Sequence, residues 1–235
     1  MNKFLFILSL FSLSLTSCSD GIKGEGDVGL AVDFKIENFD AIKADGSFKM
    51  ILIPNDSSYV SVQTHKNLIE NMDIYVQNKT LHIGEKTAVE AFESYVIYLY
   101  YHQDLNKITT AGKVLLETQG IISFDDFELE TSDASNVNQF GIIAKEAKIT
   151  VLDKSEVNVH GETSTLKLKA KDYAKVNLSD FDVRVIDVDL AGEAEVEAKI
   201  GKELSGRILQ NSTLKYQGNP MKDVEVKDNG ELLKK

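Results

Sequence analysis

The chain has 235 residues, with 26 Lys and Arg against 37 Asp and Glu, a formal net charge of −11. Just two of its cations are arginine, Arg184 and Arg207, which argues against nucleic-acid binding, where basic stripes neutralise phosphates. Hydrophobic residues make up 43%, enough for a core, and Val, Ile and Thr in short runs with two prolines favour β structure.

Met1-Asn2-Lys3 is a short basic start, and residues 4–13 form an apolar run of signal-peptide length, too short to span a bilayer. Leu15-Thr16-Ser17-Cys18 follows, and Cys18 is the single cysteine, so no intramolecular disulfide is possible. This stretch resembles the lipobox of bacterial lipoproteins. The resemblance implies a signal peptide over 1–17, acylation of Cys18, and a lipid-anchored place in the cell envelope, most readily the outer membrane. Residues 18–29, rich in Gly and Asp, read as the acylated cysteine and a flexible tether.

Residues 30–108 read as a β-rich but irregular part. Phe48, Met50 and Leu52 alternate with Lys49 and Ile51 in a strand that ends at Pro54-Asn55-Asp56. Residues 59–64 make a second strand, and 66–72 a short helix. Residues 73–77 and 81–83 pair as a hairpin about Asn78-Lys79-Thr80, and 85–94 is a polar loop. Residues 95–102 are the most β-prone run. Tyr95, Ile97, Leu99 and Tyr101 fall on one face, and Val96, Tyr98, Tyr100 and His102 on the other. Burial on both sides is the expectation. An exposed second face would instead offer tyrosines to sugar rings or a peptide, which makes Tyr95, Tyr98, Tyr100 and Tyr101 candidate binding residues.

Residues 109–220 repeat. Gly120, Gly141, Gly161 and Gly201 lie 21, 20 and 40 residues apart, with Phe181 at the missing station. One apolar column runs Leu129, Ile149, Leu168, Val188, Ile208, and a second runs Val137, Val157, Val176, Val196, Leu214. A period near 20 with alternation inside it predicts an all-β, right-handed β-solenoid (β-helix-like) with stacked coils. Asp133, Asp153 and Asp172 recur at the turns and are expected to accept bonds from their own turn's amides. Asn138, Asn158 and Asn177 share a position and are expected to form a ladder. The outward column Glu128, Lys148, Lys167, Asp187, Arg207 sets mostly unlike charges side by side. Residues 221–235 read as a charged cap or tail.

Three stretches carry a family resemblance: Phe39-Asp40-Ala41-Ile42-Lys43-Ala44-Asp45-Gly46-Ser47-Phe48; the strand 95–99 followed by Leu105-Asn106-Lys107-Ile108 and Ala111-Gly112; and Tyr216-Gln217-Gly218-Asn219-Pro220. Over about residues 33–220 the chain resembles the putative auto-transporter adhesin, head GIN domain family, a domain of unknown function frequent in Bacteroidetes lipoproteins. The resemblance implies a β-solenoid and brings no catalytic residues. The family's Gly-Ser-Gly turns are here mostly Asp-Ala-Ser, Asp-Lys-Ser or Asp-Tyr-Ala.

Catalytic and metal signals are weak. His65, His82, His102 and His160 lie far apart, and no Gly-x-Ser-x-Gly occurs. The turn aspartates lack the nonapeptide of calcium-binding β-rolls, so no metal or cofactor is expected. Asp125-Asp126 is a close carboxylate pair, but neighbours in a strand point to opposite faces, and solvated charge is the expectation. The sequence therefore reads as a non-catalytic envelope lipoprotein whose body binds a glycan or an envelope or host protein. A structural scaffold is the alternative, and glycan cleavage a weak third.

Overall fold

The computed structural model describes residues 21–102 and 105–235. Cys18, the 1–17 signal-peptide reading and the start of the tether lie outside the described residues.

The first half contains β1 (Ile22–Lys23), β2 (Val32–Lys35), β3 (Ala41–Gly46), β4 (Lys49–Pro54) and β5 (Tyr59–Gln63). A one-turn helix α1 (Lys66–Glu70) buries Leu68 and stops before β6 (Met72–Gln77), because Met72 is taken into a strand. Then come β7 (Thr80–Glu85), β8 (Val89–Ala91) and β9 (Val96–Tyr101). The predicted hairpin is present: β6 and β7 pair antiparallel with Gln77 opposite Thr80, and Asn78 and Lys79 take positive φ (49° and 59°) in the turn. The second half contains β10 (Lys107–Gly112), β11 (Leu115–Thr118), β12 (Ile121–Thr131), β13 (Asn136–Val151), β14 (Glu156–Ala170), β15 (Lys175–Leu190) and β16 (Glu195–Ile208). It closes with β17 (Thr213–Gln217), β18 (Met221–Val226) and β19 (Glu231–Lys234).

These strands stack as a parallel β-solenoid. Along one wall the order is β7, β3, β10, β12, β13, β14, β15, β16, β18; along a second it is β9, β4, β11, β13, β14, β15, β16, β17, β19. The start of β12 and the middle of β13 to β15 form a third wall, with Ile122, Ile142, Gly161 and Phe181 in register. The irregular N-terminal part is thus two further coils. They are laid down out of order: β7–β9 lies outside β3–β4, so the chain steps backward along the axis before it resumes at β10. Antiparallel β6 on β7, and β5 on β9 with β2 beyond it, finish this end.

The apolar columns are largely as read. Val137, Val157, Val176, Val196 and Leu214 are in register and buried. Each such side chain contributes about 1.5–3 kcal/mol on burial. The other column is corrected at its end. Register shifts between β15 and β16 pair Val188 with Gly206 and Leu190 with Ile208. The same shift moves the outward charges. Lys107, Glu128, Lys148, Lys167 and Asp187 align, but Asp187 then meets Ser205, while Arg207 pairs with Asp189 at 2.7 Å. Glu128 sits between Lys148 (2.8 Å) and Lys107 (3.5 Å), and the Lys148 hydrogen bond holds its carboxyl below the usual range.

The turns carry a ladder of their own. Gly112, Asp133, Asp153, Asp172, Gly192 and Gln210 all take left-handed φ, between 58° and 77°. Each turn accepts from the next: Ala134 N to Gly112 O, Lys154 N to Asp133 O and Tyr173 N to Asp153 O, at 2.8–2.9 Å. The left-handed residue's own N–H finds a side chain of the following coil. Gly112 N donates to Asp133 Oδ2 (2.9 Å), Asp133 N to Asp153 Oδ2 (3.1 Å), and Gly192 N to Gln210 Oε1. Asp133 and Asp153 therefore cap the preceding turn and not their own.

The asparagine ladder is only partial. Asn158 and Asn177 are in register, but β13 bulges between Val137 and Phe140, which takes Asn138 out of the pairing. The Asn177 amide accepts from Ser179 N (3.1 Å) on its own strand.

The start of the chain differs from expectation. Residues 21–29 are docked and not a free tether. β1 pairs with β8, Gly24 N donates to Ala91 O (2.8 Å), and Asn67 bonds Lys23 O (2.7 Å) and Glu25 N (3.0 Å). His65 is buried against Gly24, its Nδ1 donating to Gly26 O (2.8 Å) and its Nε2 accepting from Glu93 N (3.1 Å). At the other end, 221–234 forms a full coil. It puts Lys222 in register with buried Leu204, and Lys234 with buried Tyr216. Inward-pointing charges on a last coil make further stacking costly. Lys222 Nζ bonds Tyr216 Oη (3.2 Å), and Lys234 Nζ bonds Asn219 Oδ1 (2.6 Å). Replacing both (Lys222→Leu with Lys234→Leu) should extend the apolar columns to the tip and raise end-to-end association above that of the unmodified chain. Sedimentation across a concentration series reads this directly.

Candidate functional site

The strand β9 is buried on one side only. Ile97 and Leu99 lie in the core, and so do Tyr95 (2% exposed) and Tyr101 (6%). Tyr95 donates its hydroxyl to Met72 Sδ and packs on Phe48, with ring centroids 5.6 Å apart. Burial pushes its ionisation upward. Two of the four tyrosines singled out from the sequence are therefore core residues, because alternation along the strand sends odd positions inward.

The even positions face outward and are half-buried: Val96, Tyr98 and Tyr100. Among the described residues no second layer covers them, and their neighbours on the same wall are strands of the same sheet. Parallel pairing with β4 sets Ile51 beside Tyr98 and Ile53 beside Tyr100. Antiparallel pairing with β5 brings Tyr59 to Tyr100, their rings stacked at 4.3 Å and 9°. The Lys49–Glu117 ion pair (2.8 Å) stands on the same face, Glu117 beside Ile51 and Lys49 beside Leu115, and closes the patch toward β11. Three strands, β5, β9 and β4, about 4.8 Å apart make a largely apolar, aromatic surface roughly 10 Å across. Tyr59 is held above its usual ionisation range by its apolar surroundings first, then by Tyr100 and Asp33. Flat rings with hydroxyls at their edges, fixed on a sheet, suit sugar faces or an apolar protein surface.

Beyond β11 the same wall turns polar. In line with Lys49 and Leu115 come Asn136, Glu156, Lys175, Glu195, Thr213 and Glu231. Tyr59, Ile51 and Ile53 were not singled out from the sequence. Their signal is the unbroken apolar run 50–53, which leaves no polar face for solvent.

The other candidates are scattered. Asp133, Asp153 and Asp172 stand one per turn, committed in two cases to neighbouring amides. Asp125 and Asp126 are both exposed, because β12 bends there and the strict alternation fails. His82 stacks on Tyr75 at 4.7 Å, and His102 is exposed beyond β9. Among the described residues, no group of three or more His, Cys, Asp or Glu converges on one point.

Comparison with known proteins supports the same architecture. The family model described as putative auto-transporter adhesin, head GIN domain matches residues 38–220. A crystal structure described as a putative adhesin from Bacteroides fragilis NCTC 9343 superposes with a TM-score of 0.83 at 15% identity, covering 91% of this chain and 99% of that one. One described as a putative lipid binding protein from Parabacteroides distasonis ATCC 8503 gives 0.71 at 17% identity, with coverages of 91% and 99%. One described as a putative adhesin from Parabacteroides merdae ATCC 43184 gives 0.66 at 15%, with coverages of 92% and 100%. At such identities the likeness is one of fold. No curated protein matches the chain.

Tyr101 tests the one-sided burial of β9. Its hydroxyl is buried with no hydrogen-bond partner among the described residues, and burial pushes its pKa up to about 12. The unfolded value is about 10. A raised folded value means that the native state resists ionisation. Stability should therefore hold below pH ~10 and fall as pH rises toward ~12. Tyr101→Phe should flatten that fall, and at neutral pH should be neutral or stabilising by about 1 kcal/mol. Denaturant melts of both proteins across this pH range measure it.

Proposed function

The chain belongs to the putative auto-transporter adhesin, head GIN domain family, and from that premise we propose that it is a non-catalytic binding module of the cell envelope, lipid-anchored through Cys18. The outer wall of β9 carries the reading. An apolar aromatic surface of Tyr59, Tyr98, Tyr100, Ile51 and Ile53 faces solvent, where a purely structural spacer would be polar. Its occupant is a glycan or a protein of the envelope or of a host surface. Single contacts on such a wall are modest, and many anchored copies would multiply them.

The anchor reading draws on Leu15-Thr16-Ser17-Cys18 and on the docked segment that follows. Ser19 and Asp20 alone separate Cys18 from the bonded chain at Gly21. Three residues reach about 10 Å at most, so an acylated protein would be held close to its membrane. The outer membrane is the membrane proposed.

Two measurements bear on this. Tyr98→Ser with Tyr100→Ser should abolish binding to cell surfaces or arrayed glycans while shifting the melting temperature little, since both side chains are half-exposed. Retained binding would sink the aromatic wall as the site. Cys18→Ala should move the protein from the membrane fraction to the soluble fraction, and an unchanged partition would refute the anchor.

A further inference from the structure

A second surface lies away from the aromatic wall, where β12 to β16 bend from the third wall back toward the first. A groove of about 850 Å³ runs along the axis there. Its floor is Ala144, Thr163 and Val183, all buried, with Phe124 at one end and Ile200 toward the other. These are equivalent residues of successive coils, so the floor repeats at the strand spacing of about 4.8 Å. One rim carries Ile143, Glu162 and Asp182; the other carries Lys145, Ser164 and Arg184.

The charges on these rims are unevenly satisfied. Asp182 is neutralised by Lys199 at 2.6 Å. Lys145 and Arg184 make no ion pair among the described residues, whereas the chain's other arginine, Arg207, is held by Asp189 at 2.7 Å. Lys145 and Arg184 stand two coils apart on one rim, about 10 Å, with Ser164 between them. Two free cations over an apolar floor, in a chain of net charge −11, are complementary to an anionic ligand and not to the protein's own surface. Glu162 and Ser164 add hydrogen-bonding groups that an acyl chain would leave unpaired. A linear pyranose chain advances by roughly one strand spacing per sugar. Each ring could then lie on one floor residue while its hydroxyls meet the rims.

We propose that this groove binds a linear acidic polysaccharide along the solenoid axis, its carboxylates meeting Lys145 and Arg184. Arg184 offers the bidentate fork that suits a carboxylate, and Lys145 a point charge two sugars along. The site is separate from the aromatic wall and does not depend on it.

The test is calorimetric titration of the full chain with polygalacturonate and alginate oligosaccharides, and with their methyl esters. The acids should bind, more weakly as salt rises, and the esters should bind about tenfold more weakly or not at all. Arg184→Gln should weaken binding about tenfold with an unchanged melting temperature, and adding Lys145→Ser should abolish it. Arg207→Ser and the Tyr98→Ser, Tyr100→Ser pair should bind as the parent does. No binding by either acid would overturn the proposal. So would equal binding by the esters, or full binding by the Arg184, Lys145 double variant. Uptake of anionic lipid vesicles, abolished by the same double variant, without oligosaccharide binding would overturn it in favour of a lipid groove. Loss of groove binding with the tyrosine pair intact leaves the aromatic-wall reading standing, and the reverse result separates the two sites equally well.

Discussion

Everything in this molecule answers to axial hydrogen bonding between parallel coils. Each inner strand exchanges N–H···O bonds with a neighbour on either side, about 4.8 Å away, so a residue's neighbours above and below are fixed by the register. A column that faces the core is therefore apolar in most of its coils. The valine column from Val137 to Val196 meets that condition. The turns meet it differently: six successive left-handed residues stack, and Asp133, Asp153 and Gln210 reach back to amides that the backbone ladder leaves over. Left-handed backbone strains most side chains, which is why Gly or Asp stands at five of the six.

A stack of this kind has two ends, and each is closed by a different means. At the start, the chain folds back past its own first coil and adds antiparallel strands, a helical turn and the segment 21–29. At the finish, the last coil still pairs fully, but lysines replace apolar residues at two inward places. The first device covers the edge; the second makes a further coil unfavourable.

The two surfaces that depart from this economy are the ones with a functional reading. The β9 wall is largely apolar on its outer side across β5, β9 and β4 and turns polar from β11 onward. The bend beside Arg184 carries two cations, Lys145 and Arg184, with no ion pair among the described residues, while Asp182 on the facing rim is held by Lys199. Neither feature helps the stack. An exposed aromatic wall invites association, and unpaired cations add no stability, so both suit recognition of something outside the chain.

Much of this was legible in the residues themselves. The period near 20, the valine column, the hairpin at Asn78 and the left-handed turns follow from local alternation and from residues that tolerate positive φ, so sequence alone determined a β-solenoid. Alternation likewise split Tyr95 and Tyr101 from Tyr98 and Tyr100. It could not say whether the second set was covered, because that depends on whether another layer packs there. Only the tertiary structure decided that β9 lies at the outside of a reversed pair of coils with β4 and β5 as its sheet neighbours. Long-range pairing also decided the Arg207–Asp189 contact, through shifts in the β15–β16 register, and the docking of residues 21–29. A two-residue displacement leaves no mark on composition, yet it re-pairs every side chain beyond it.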